Sequence, residues 1–333
     1  EMIGASRINI DTYHKLVDAW EIASNPYLNY EYLLMDVTEA LDRPVLMFKN
    51  LIWGDVDCKE DFKKLQNDIY PRLRKKEDPY DYENLMMHLR SIFPNKDVSK
   101  AEIIQIGGMS NKNFRVNFNG KSYVLRVPGN GVDGMVERVN EEFNAMEGCK
   151  LGVNPEIRYF NAKTGIKLAD FVENAETLNA ATIQRHDNMI KIANIYQKVH
   201  GAHIRLKNEF NIFREIEKYD LIEKAGATMY AGWENVRKNV MELEFYLNDL
   251  GVELCPCHND ALYDNFIKAM DGSIYLIDWE YSGMNDPMAD FAALFIEAGY
   301  TKENEDFILG QYFNGNIPAN AYKKILCYEI LWD

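Results

Sequence analysis

The dipeptide Asn119-Gly120 narrows the possible folds most, because it separates two runs of alternating apolar residues, NFRVNF and KSYVLRV. An Asn-Gly pair in this setting is typical of a two-residue turn between antiparallel strands. The predicted strand AEIIQIGG precedes this hairpin, and helical patterns follow it at about residues 133–148, 180–200, 208–225 and 229–250. We therefore expect an α+β protein with a small β-rich lobe followed by a larger helical lobe.

The turn also fixes which residues of the two strands face each other. Asn113 lies opposite Arg126 on a polar face that also carries Arg115 and Asn117. The other face is apolar and is expected to pack: it comprises Phe114, Val116, Phe118, Tyr123, Leu125 and Val127. The donor fork of an arginine suits phosphate, so Arg126 is a candidate for nucleotide binding, the alternative being a solvated surface arginine. The next helix carries Glu137 and Glu141 on one face, and one of them is expected to anchor Arg126.

A glycine-rich turn, IGGMSNKNF, lies between the first two predicted strands. Its backbone N–H groups and the side chains of Ser110 and Asn111 are candidates for contact with phosphate oxygens. A Gly-Gly pair between strands is also common in turns that bind nothing. The neighbouring Arg126 is what favours a nucleotide site here.

The stretch CPCHNDALYDNFI, residues 255–267, leads into a second predicted hairpin, in which Asp271-Gly272 joins NFIKAM to SIYLID. A two-residue turn at this point sets Asn265 opposite Asp278. Carboxylate and amide oxygens brought together in this way are acceptable ligands for magnesium. Asp260 precedes Asn265 in the pattern H-N-D-x-x-x-x-N, which is similar to the catalytic loop of kinases. A hydrogen-bonded polar turn is the alternative, and it does not explain the joint spacing of His258, Asp260, Asn265 and Asp278.

The net charge of the chain disfavours nucleic acid and anionic membranes as partners. The chain has 52 acidic and 37 basic residues and a net charge of -15, which opposes nonspecific attraction to nucleic acid or to an anionic membrane. No apolar run approaches the roughly 20 residues that cross a bilayer, and the start lacks the layout of a signal peptide. We therefore expect a cytoplasmic protein that acts on a small molecule. The 5 cysteines are scattered and Cys255-Pro-Cys257 has no partner at zinc spacing, so buried thiols are expected.

Residues 86–333 resemble a choline/ethanolamine kinase of the bacterial type, within the aminoglycoside-phosphotransferase-like branch of the protein-kinase-like fold. The resemblance rests on five segments in this order: IGGMSNKNF, YVLRVPGNG, ERVNEEFNA, CHNDALYDNFI and YLIDWEYSGMNDPMADFA. It implies ATP as the phosphate donor and Mg²⁺ as the cofactor. It makes Asp260 the catalytic aspartate that faces the choline hydroxyl, with Asn265 and Asp278 as magnesium ligands.

The same resemblance implies a nucleotide site in the β-rich lobe. Arg126 would contact the nucleotide phosphates and pair with Glu141, and the backbone from Lys167 to Ala169 would meet the adenine. The remaining candidates for ATP binding lie at or next to the glycine-rich turn: Ser110, Asn111 and Asn113.

Substrate selection in this family relies on aromatic faces and carboxylates around a quaternary ammonium group. The matching candidates here are Glu280, Glu297, Tyr300 and Trp332. Tyrosine and tryptophan side chains near a helix are also common in protein cores, which is the alternative for those two. Such kinases usually continue beyond the segment ILWD, so we expect part of this cage to lie outside the sequence.

Residues 1–80 resemble the C-terminal part of a sugar-nucleotide-type nucleotidyltransferase, on the segment IWGDVDCKEDFKKL. Asp57 would match the magnesium-binding aspartate, but the glycine-rich nucleotide loop is absent, so this segment alone is not expected to catalyse transfer. The resemblance implies fusion with a cytidylyltransferase that uses phosphocholine. The alternative is an extension that packs on the kinase or mediates a homodimer. The expected domains are residues 1–80, a kinase N-lobe at 81–172 and a C-lobe at 173–333.

Together these features predict a choline kinase that transfers the γ-phosphate of ATP to choline. Two rival functions stay open at this point. One is a kinase for another small amino alcohol or an aminoglycoside, and the other is a non-catalytic kinase-like binding module.

Overall fold

The chain of this computed structural model divides into two units, residues 1–75 and 76–333. Structure is described for residues 10–23, 56, 58–108, 111–129, 137–223 and 231–332. In the first part of the chain, α1 spans Ile10–Ala23 and α2 spans Lys59–Lys64, and a π-helical turn at Leu65–Ile69 leads into α3, Tyr70–Glu77. Asp57 lies outside the described residues, so the nucleotidyltransferase-like interpretation of residues 1–80 stays a prediction.

A five-stranded antiparallel sheet and two helices form the β-rich lobe. The strands are β1 (Glu102–Gly107), β2 (Asn111–Phe118), β3 (Lys121–Pro128), β4 (Ile157–Phe160) and β5 (Lys167–Asp170), in the order β1-β2-β3-β5-β4. Helix α4 (Tyr82–Ile92) precedes the sheet, and α5 (Arg138–Lys150) follows β3.

The hairpin of β2 and β3 has the predicted register. Asn119 and Gly120 have φ of 51° and 72°, as a two-residue turn of type I′ requires, and Asn113 pairs with Arg126. The apolar face is buried as expected, and it packs with Leu85, Met86 and Leu89 of α4. The polar face of the same strands is therefore turned away from this core.

The larger lobe is mainly helical. Its helices are α6 (His186–His200), α7 (Ile212–Glu223), α8 (Trp233–Leu250), α9 (Pro287–Ala298), α10 (Lys302–Tyr312) and α11 (Ala321–Trp332). Helix α9 is almost wholly buried, with Phe291 and Leu294 fully inaccessible. Its bounds follow from the sequence, because Asp286 caps the first turn, Pro287 occupies the first helical position and Gly299 adopts φ of 60° after the last.

Two small sheets lie between these helices and carry the predicted catalytic segment. One pairs β7 (Cys255–Cys257) with β10 (Gly283–Asn285), and the other joins β6 (Glu176–Thr177), β8 (Phe266–Lys268) and β9 (Ile274–Leu276). Short 3₁₀ turns at Tyr263–Asn265 and Trp279–Tyr281 flank the hairpin of β8 and β9.

The predicted register of this second hairpin is wrong by one residue. Phe266 pairs with Leu276, and the Ile277 N–H donates to the Asn265 carbonyl over 2.9 Å, so Asn265 lies opposite Ile277 and not Asp278. The loop has three residues because only Gly272 takes positive φ, at 83°, while the Asp271 carboxylate accepts the Ser273 N–H over 2.9 Å. The same Asp-Gly pair is compatible with both loop lengths.

Two further sequence-based expectations concern membranes and cysteines. Among the described helices, none combines the length and the apolar character that a bilayer crossing requires. All 5 cysteines fall in the described part of the chain and are free thiols; Cys257 is buried, but Cys58 is exposed and the other three are half-buried, so the expectation of buried thiols is wrong for most of them.

Candidate active site

The segment His258 to Asp260 leaves β7 and is held by one buried carboxylate. The backbone N–H groups of His258 and Asn259 donate to Asp290 over 2.9 Å and 2.6 Å, and His200 Nε2 lies 3.0 Å from the same side chain. Burial raises the pKa of Asp290, but His200 and His258 outweigh it and hold that pKa below its usual value. Asn259 adopts φ of 61°, so the chain turns sharply just before Asp260.

Asp290 and His200 were not identified from the sequence. The available signal was a single acid within the otherwise apolar segment PMADFAALF. A buried charge in such a position needs partners, but the sequence does not reveal that those partners are backbone N–H groups of a loop about 30 residues away.

Asp260 and Asn265 contact each other directly. Asn265 Nδ2 donates to the Asp260 backbone carbonyl over 2.9 Å and to its Oδ2 over 3.0 Å. Both hydrogen bonds use the amide nitrogen of Asn265, so its amide oxygen does not bind Asp260. Burial raises the pKa of Asp260; His258 and Asn265 oppose this, and the Asp278 and Glu297 carboxylates add to it.

Asp278 also lies near Asp260, but it is not positioned by the cross-strand pairing with Asn265 that the sequence predicts. Its backbone is left-handed, with φ of 67°, directly after β9, and its preceding residue Ile277 is hydrogen-bonded to Asn265. In the described part of the chain, Asp278 Oδ1 is buried without a hydrogen-bond partner and lies 3.8 Å from Arg126 Nη1. Asp278 is therefore brought towards Arg126 and Asp260 by a backbone turn rather than by cross-strand pairing.

Arg126 belongs to a buried charge cluster on the β-rich side. It makes a bidentate ion pair with Glu141 of α5, in which the Nη2 to Oε2 distance is 2.9 Å, and it is 3% exposed. Arg138 Nη1 donates to Glu141 over 2.7 Å, and Lys167 Nζ donates to it over 3.4 Å. Burial raises the pKa of Glu141, but the charges of Lys167 and Arg126 dominate and lower it to about 2.

Arg126 is therefore buried and ion-paired, and the alternative of a solvated surface arginine is wrong. Glu137, the other candidate partner of Arg126, accepts a hydrogen bond from Asn140 instead.

The glycine-rich turn is joined to the segment after β9 through Glu280. Asn111 Nδ2 and Arg138 Nη1 donate to Glu280 Oε2 over 3.3 Å and 3.2 Å. The turn itself is tight, because Gly108 has φ of 104° and a Cβ added there would lie 1.8 Å from the Asn111 carbonyl oxygen. Ser110 lies outside the described residues, and Asn113 is half-buried on β2.

For the four candidates for a choline cage, the structure gives contacts with other residues, and their role in a cage stays a prediction. Glu280 contacts the β-rich lobe, as described above. The Tyr300 hydroxyl donates to the Ile183 carbonyl over 3.0 Å, which is a core contact. The Trp332 ring stacks on Phe210 with 6.1 Å between centroids. Glu297 is exposed, and its charge acts on Asp260.

The fold and the site together define a class, the phosphotransferases with a bilobal kinase-like fold. A β-rich lobe with a paired arginine and glutamate faces a helical lobe whose H-N-D-x-x-x-x-N loop is followed by an aspartate after a short hairpin.

Comparisons with known proteins identify the family within this class. Residues 102–324 match the choline/ethanolamine kinase family. Protein LicA from Haemophilus influenzae is 31% identical over 238 residues, which cover 68% of this chain and 70% of that protein. The crystal structure of choline kinase LicA from Streptococcus pneumoniae superposes with a TM-score of 0.66 at 34% identity, over 74% of this chain and 86% of that one. A structure of LicA in complex with AMP gives a TM-score of 0.64 at 35% identity, over 74% and 85%.

The chain therefore belongs to the choline/ethanolamine kinase family. As a member of that family it is an ATP-dependent kinase.

Proposed function

We propose that this protein is a choline kinase in which Asp260 directs the choline hydroxyl towards the γ-phosphate of ATP. The observation that carries the proposal is the placement of Asp260. Asp290 fixes the loop just before it, Asn265 binds its carboxylate, and burial raises its pKa. A carboxylate with a raised pKa is a better acceptor for the proton that a hydroxyl gives up as it attacks phosphorus.

The transfer balances with groups at this site. The choline oxygen forms a bond to the γ-phosphorus as the bond from that phosphorus to the β,γ-bridging oxygen breaks, and the hydroxyl proton passes to Asp260. The Arg126 charge, 3.8 Å from Asp278, acts on the same space and offsets negative charge that develops on the phosphate oxygens.

The residues on the helical side fit a magnesium ion. Asp278 Oδ1 is a buried acceptor with no hydrogen-bond partner among the described residues, and the Asn265 amide oxygen is not used by Asp260. These are the hard oxygen ligands that Mg²⁺ takes, so we assign Asn265 and Asp278 as the residues that would hold it. When bound, the ion neutralises phosphate charge.

Choline is favoured as the acceptor by the LicA relatives, of which one is described as a choline kinase. The Asp278 and Glu297 carboxylates, whose charges act on Asp260, favour a cationic alcohol as the acceptor, and a quaternary ammonium needs no hydrogen-bond acceptor. A cytoplasmic location and a homodimer remain parts of this proposal that rest on the sequence.

The deciding experiment measures ADP release with choline, ethanolamine and kanamycin in turn, each with Mg²⁺ and ATP. Choline is expected to give the highest kcat/KM. Equal values for ethanolamine or kanamycin would make the protein a kinase of broader or different specificity. ATP binding without turnover on any of the three would support a non-catalytic binding module.

A further inference from the structure

The strand β7 carries two cysteines that the proposed reaction does not use. Cys255 and Cys257 are two residues apart, so their side chains project from the same face of an extended strand. Their sulfur atoms lie 3.6 Å apart. The Cys-Pro-Cys sequence therefore forms a contacting pair of thiols in the strand that leads directly to Asp260.

A metal centre is the first function to consider for these thiols. The ligand atoms of His200, Cys257 and Asp290 lie within 4.8 Å of one another, and all three residues are buried. The Asp290 oxygens, however, accept two backbone N–H groups of the following loop, and the two nitrogens of His200 are hydrogen-bonded to Asp290 and to the Tyr312 hydroxyl. The imidazole and the carboxylate thus already hold the loop, and the pair of thiols is the chemically available part of this cluster.

The two thiols differ in their access to solvent. Cys257 is fully buried and donates to the Asn285 carbonyl over 3.4 Å, and burial raises the pKa of its thiol. Cys255 is half-buried and follows Leu254, which is 48% exposed. A small oxidant can therefore reach Cys255 first, and Cys257 is placed to attack the Cys255 sulfur afterwards.

A bond between these two sulfurs changes the length of β7. Two Cα atoms that are two residues apart in a strand are separated by about 6.4–6.8 Å, whereas the Cα atoms of a disulfide are most often about 5.5–6 Å apart. Cys257 directly precedes His258, whose N–H donates to Asp290 over 2.9 Å. Shortening of the strand by roughly 1 Å therefore pulls on the loop that places Asp260.

We propose that Cys255 and Cys257 are a redox modification site, which forms an intramolecular disulfide and thereby slows phosphoryl transfer. The oxidant is a small disulfide such as oxidised glutathione. The Cys255 thiolate attacks one sulfur of that disulfide, which releases one small thiol and leaves a mixed disulfide on Cys255. Cys257 then attacks the Cys255 sulfur and releases the second small thiol. The protein loses two electrons and two protons, and the small disulfide gains them.

The test follows cross-linking and turnover in the same samples. The whole protein is equilibrated with oxidised glutathione or with dithiothreitol, and ADP release is measured at saturating MgATP and choline. Free thiols in the remainder are alkylated, and the peptide that contains both cysteines is identified by mass spectrometry. The oxidised wild type is expected to contain the Cys255–Cys257 disulfide and to have a kcat lower by about tenfold to a hundredfold. Dithiothreitol is expected to restore that kcat.

Cys255→Ala and Cys255→Ser remove the thiol that is attacked first, so neither variant can form the bond. In each of them the oxidised and reduced samples are expected to have the same kcat, and this comparison within one variant separates oxidation from any effect on folding. Cys327→Ala is the matched control, because it removes another half-buried thiol and is expected to be inhibited as strongly as the wild type. Cys58 is exposed, and its mixed disulfide with glutathione shows that the oxidant has acted.

Three results would overturn the inference. The first is a wild type that carries glutathione on Cys58 but has no Cys255–Cys257 disulfide. The second is a disulfide that leaves kcat unchanged, and the third is equal inhibition of Cys255→Ala, which would place the effect at another cysteine. The disulfide is detected by mass and does not depend on the acceptor. Failure of choline as the acceptor would count against the proposed function alone, and turnover would then be measured with the acceptor that supports ADP release.

Discussion

The two sides of the site treat their carboxylates in opposite ways. On the β-rich side, Glu141 is buried, yet the surrounding cations hold its pKa at about 2. On the helical side, burial raises the pKa of Asp260, and Asp278 and Glu297 raise it further. Burial also raises the pKa of Glu280, with Asp278 and Glu141 adding to the effect.

This difference in pKa shows that the protein supplies the counter-ions of its carboxylates on the β-rich side and too few of them on the helical side. Glu141 has its counter-ions built into β3, α5 and β5, so the phosphate side is organised before any ligand arrives. The acids of the helical side have too few cations and repel one another, so the arrangement is most favourable when a cation is bound. A magnesium ion and a cationic alcohol are the two ligands of the proposed reaction that bring positive charge.

The largest expected effect comes from removing the base on the helical side. Asp260→Asn keeps the size of the side chain but cannot take up a proton, so kcat is expected to fall by about 10²-fold to 10⁴-fold. MgATP affinity should stay within about twofold, because Asp260 does not belong to the cluster around Glu141. Steady-state rates of ADP release and calorimetry measure the two quantities.

Asp264→Asn is the control for that variant, since Asp264 is an exposed acid in the same loop. It should keep near-normal turnover. If Asp260→Asn also kept near-normal turnover, Asp260 would not be the catalytic base. The raised pKa of its carboxyl would then have no role in catalysis.

Next in size is the effect of neutralising Glu141. Glu141→Gln removes the carboxylate that Arg126, Arg138 and Lys167 share and is expected to lower the free energy of unfolding by about 3–5 kcal/mol. The folded pKa of Glu141 is lowered from 4.5 to about 2, so its stabilising effect is complete above about pH 4.5 and is lost as the pH falls towards 2. Urea unfolding at several pH values should show this loss in the wild type and not in the variant.

Glu137→Gln provides the comparison for Glu141→Gln. Glu137 lies one helical turn before Glu141, is exposed and binds Asn140. Its substitution should change stability by less than about 1 kcal/mol. Equal losses for the two variants would mean that the cluster contributes no more than an ordinary surface charge.

A smaller effect is expected at Glu280, which joins the two sides. Glu280→Gln weakens the hydrogen bonds from Asn111 and Arg138, so the KM for MgATP is expected to rise by about threefold to tenfold. The KM for choline should change by less than twofold, because these partners lie at the glycine-rich turn. A raised KM for choline with an unchanged KM for MgATP would instead support the prediction from the sequence that Glu280 binds choline.

The two hairpins show how far the sequence predicts this fold. Asn119-Gly120 gave the correct turn and register because both residues adopt positive φ. Asp271-Gly272 gave the wrong register because Asp271 uses its side chain to bind Ser273, and one extra residue enters the loop. The choice between these turns depends on a local hydrogen bond that the dipeptide does not specify.

For the site, the sequence predicted the residue types better than their contacts. Asp260, Asn265 and Asp278 were selected from spacing, yet Asp278 is positioned by its own left-handed backbone and not by the strand. Asp290 was missed because its partners come from a distant loop. For Tyr300 and Trp332 the sequence does not distinguish a core ring from a cage ring, and their role in a cage stays a prediction.

The smallest effect is expected at an exposed ion pair, which tests whether burial explains the contribution of the Glu141 cluster to stability. Arg158 and Asp170 form a bidentate pair through Nε and Nη2, with distances of 2.8 Å and 2.6 Å, and Arg126 binds Glu141 in a bidentate pair through its two terminal nitrogens. Their side chains are 46% and 37% exposed, so solvent screens the pair and Arg158→Met should cost less than about 1 kcal/mol in urea unfolding. Arg126→Met, measured in parallel, should cost about 3–5 kcal/mol because it leaves Glu141 with less charge compensation in a buried place. Similar losses for the two variants would show that bidentate geometry, and not burial, accounts for the stability of the cluster.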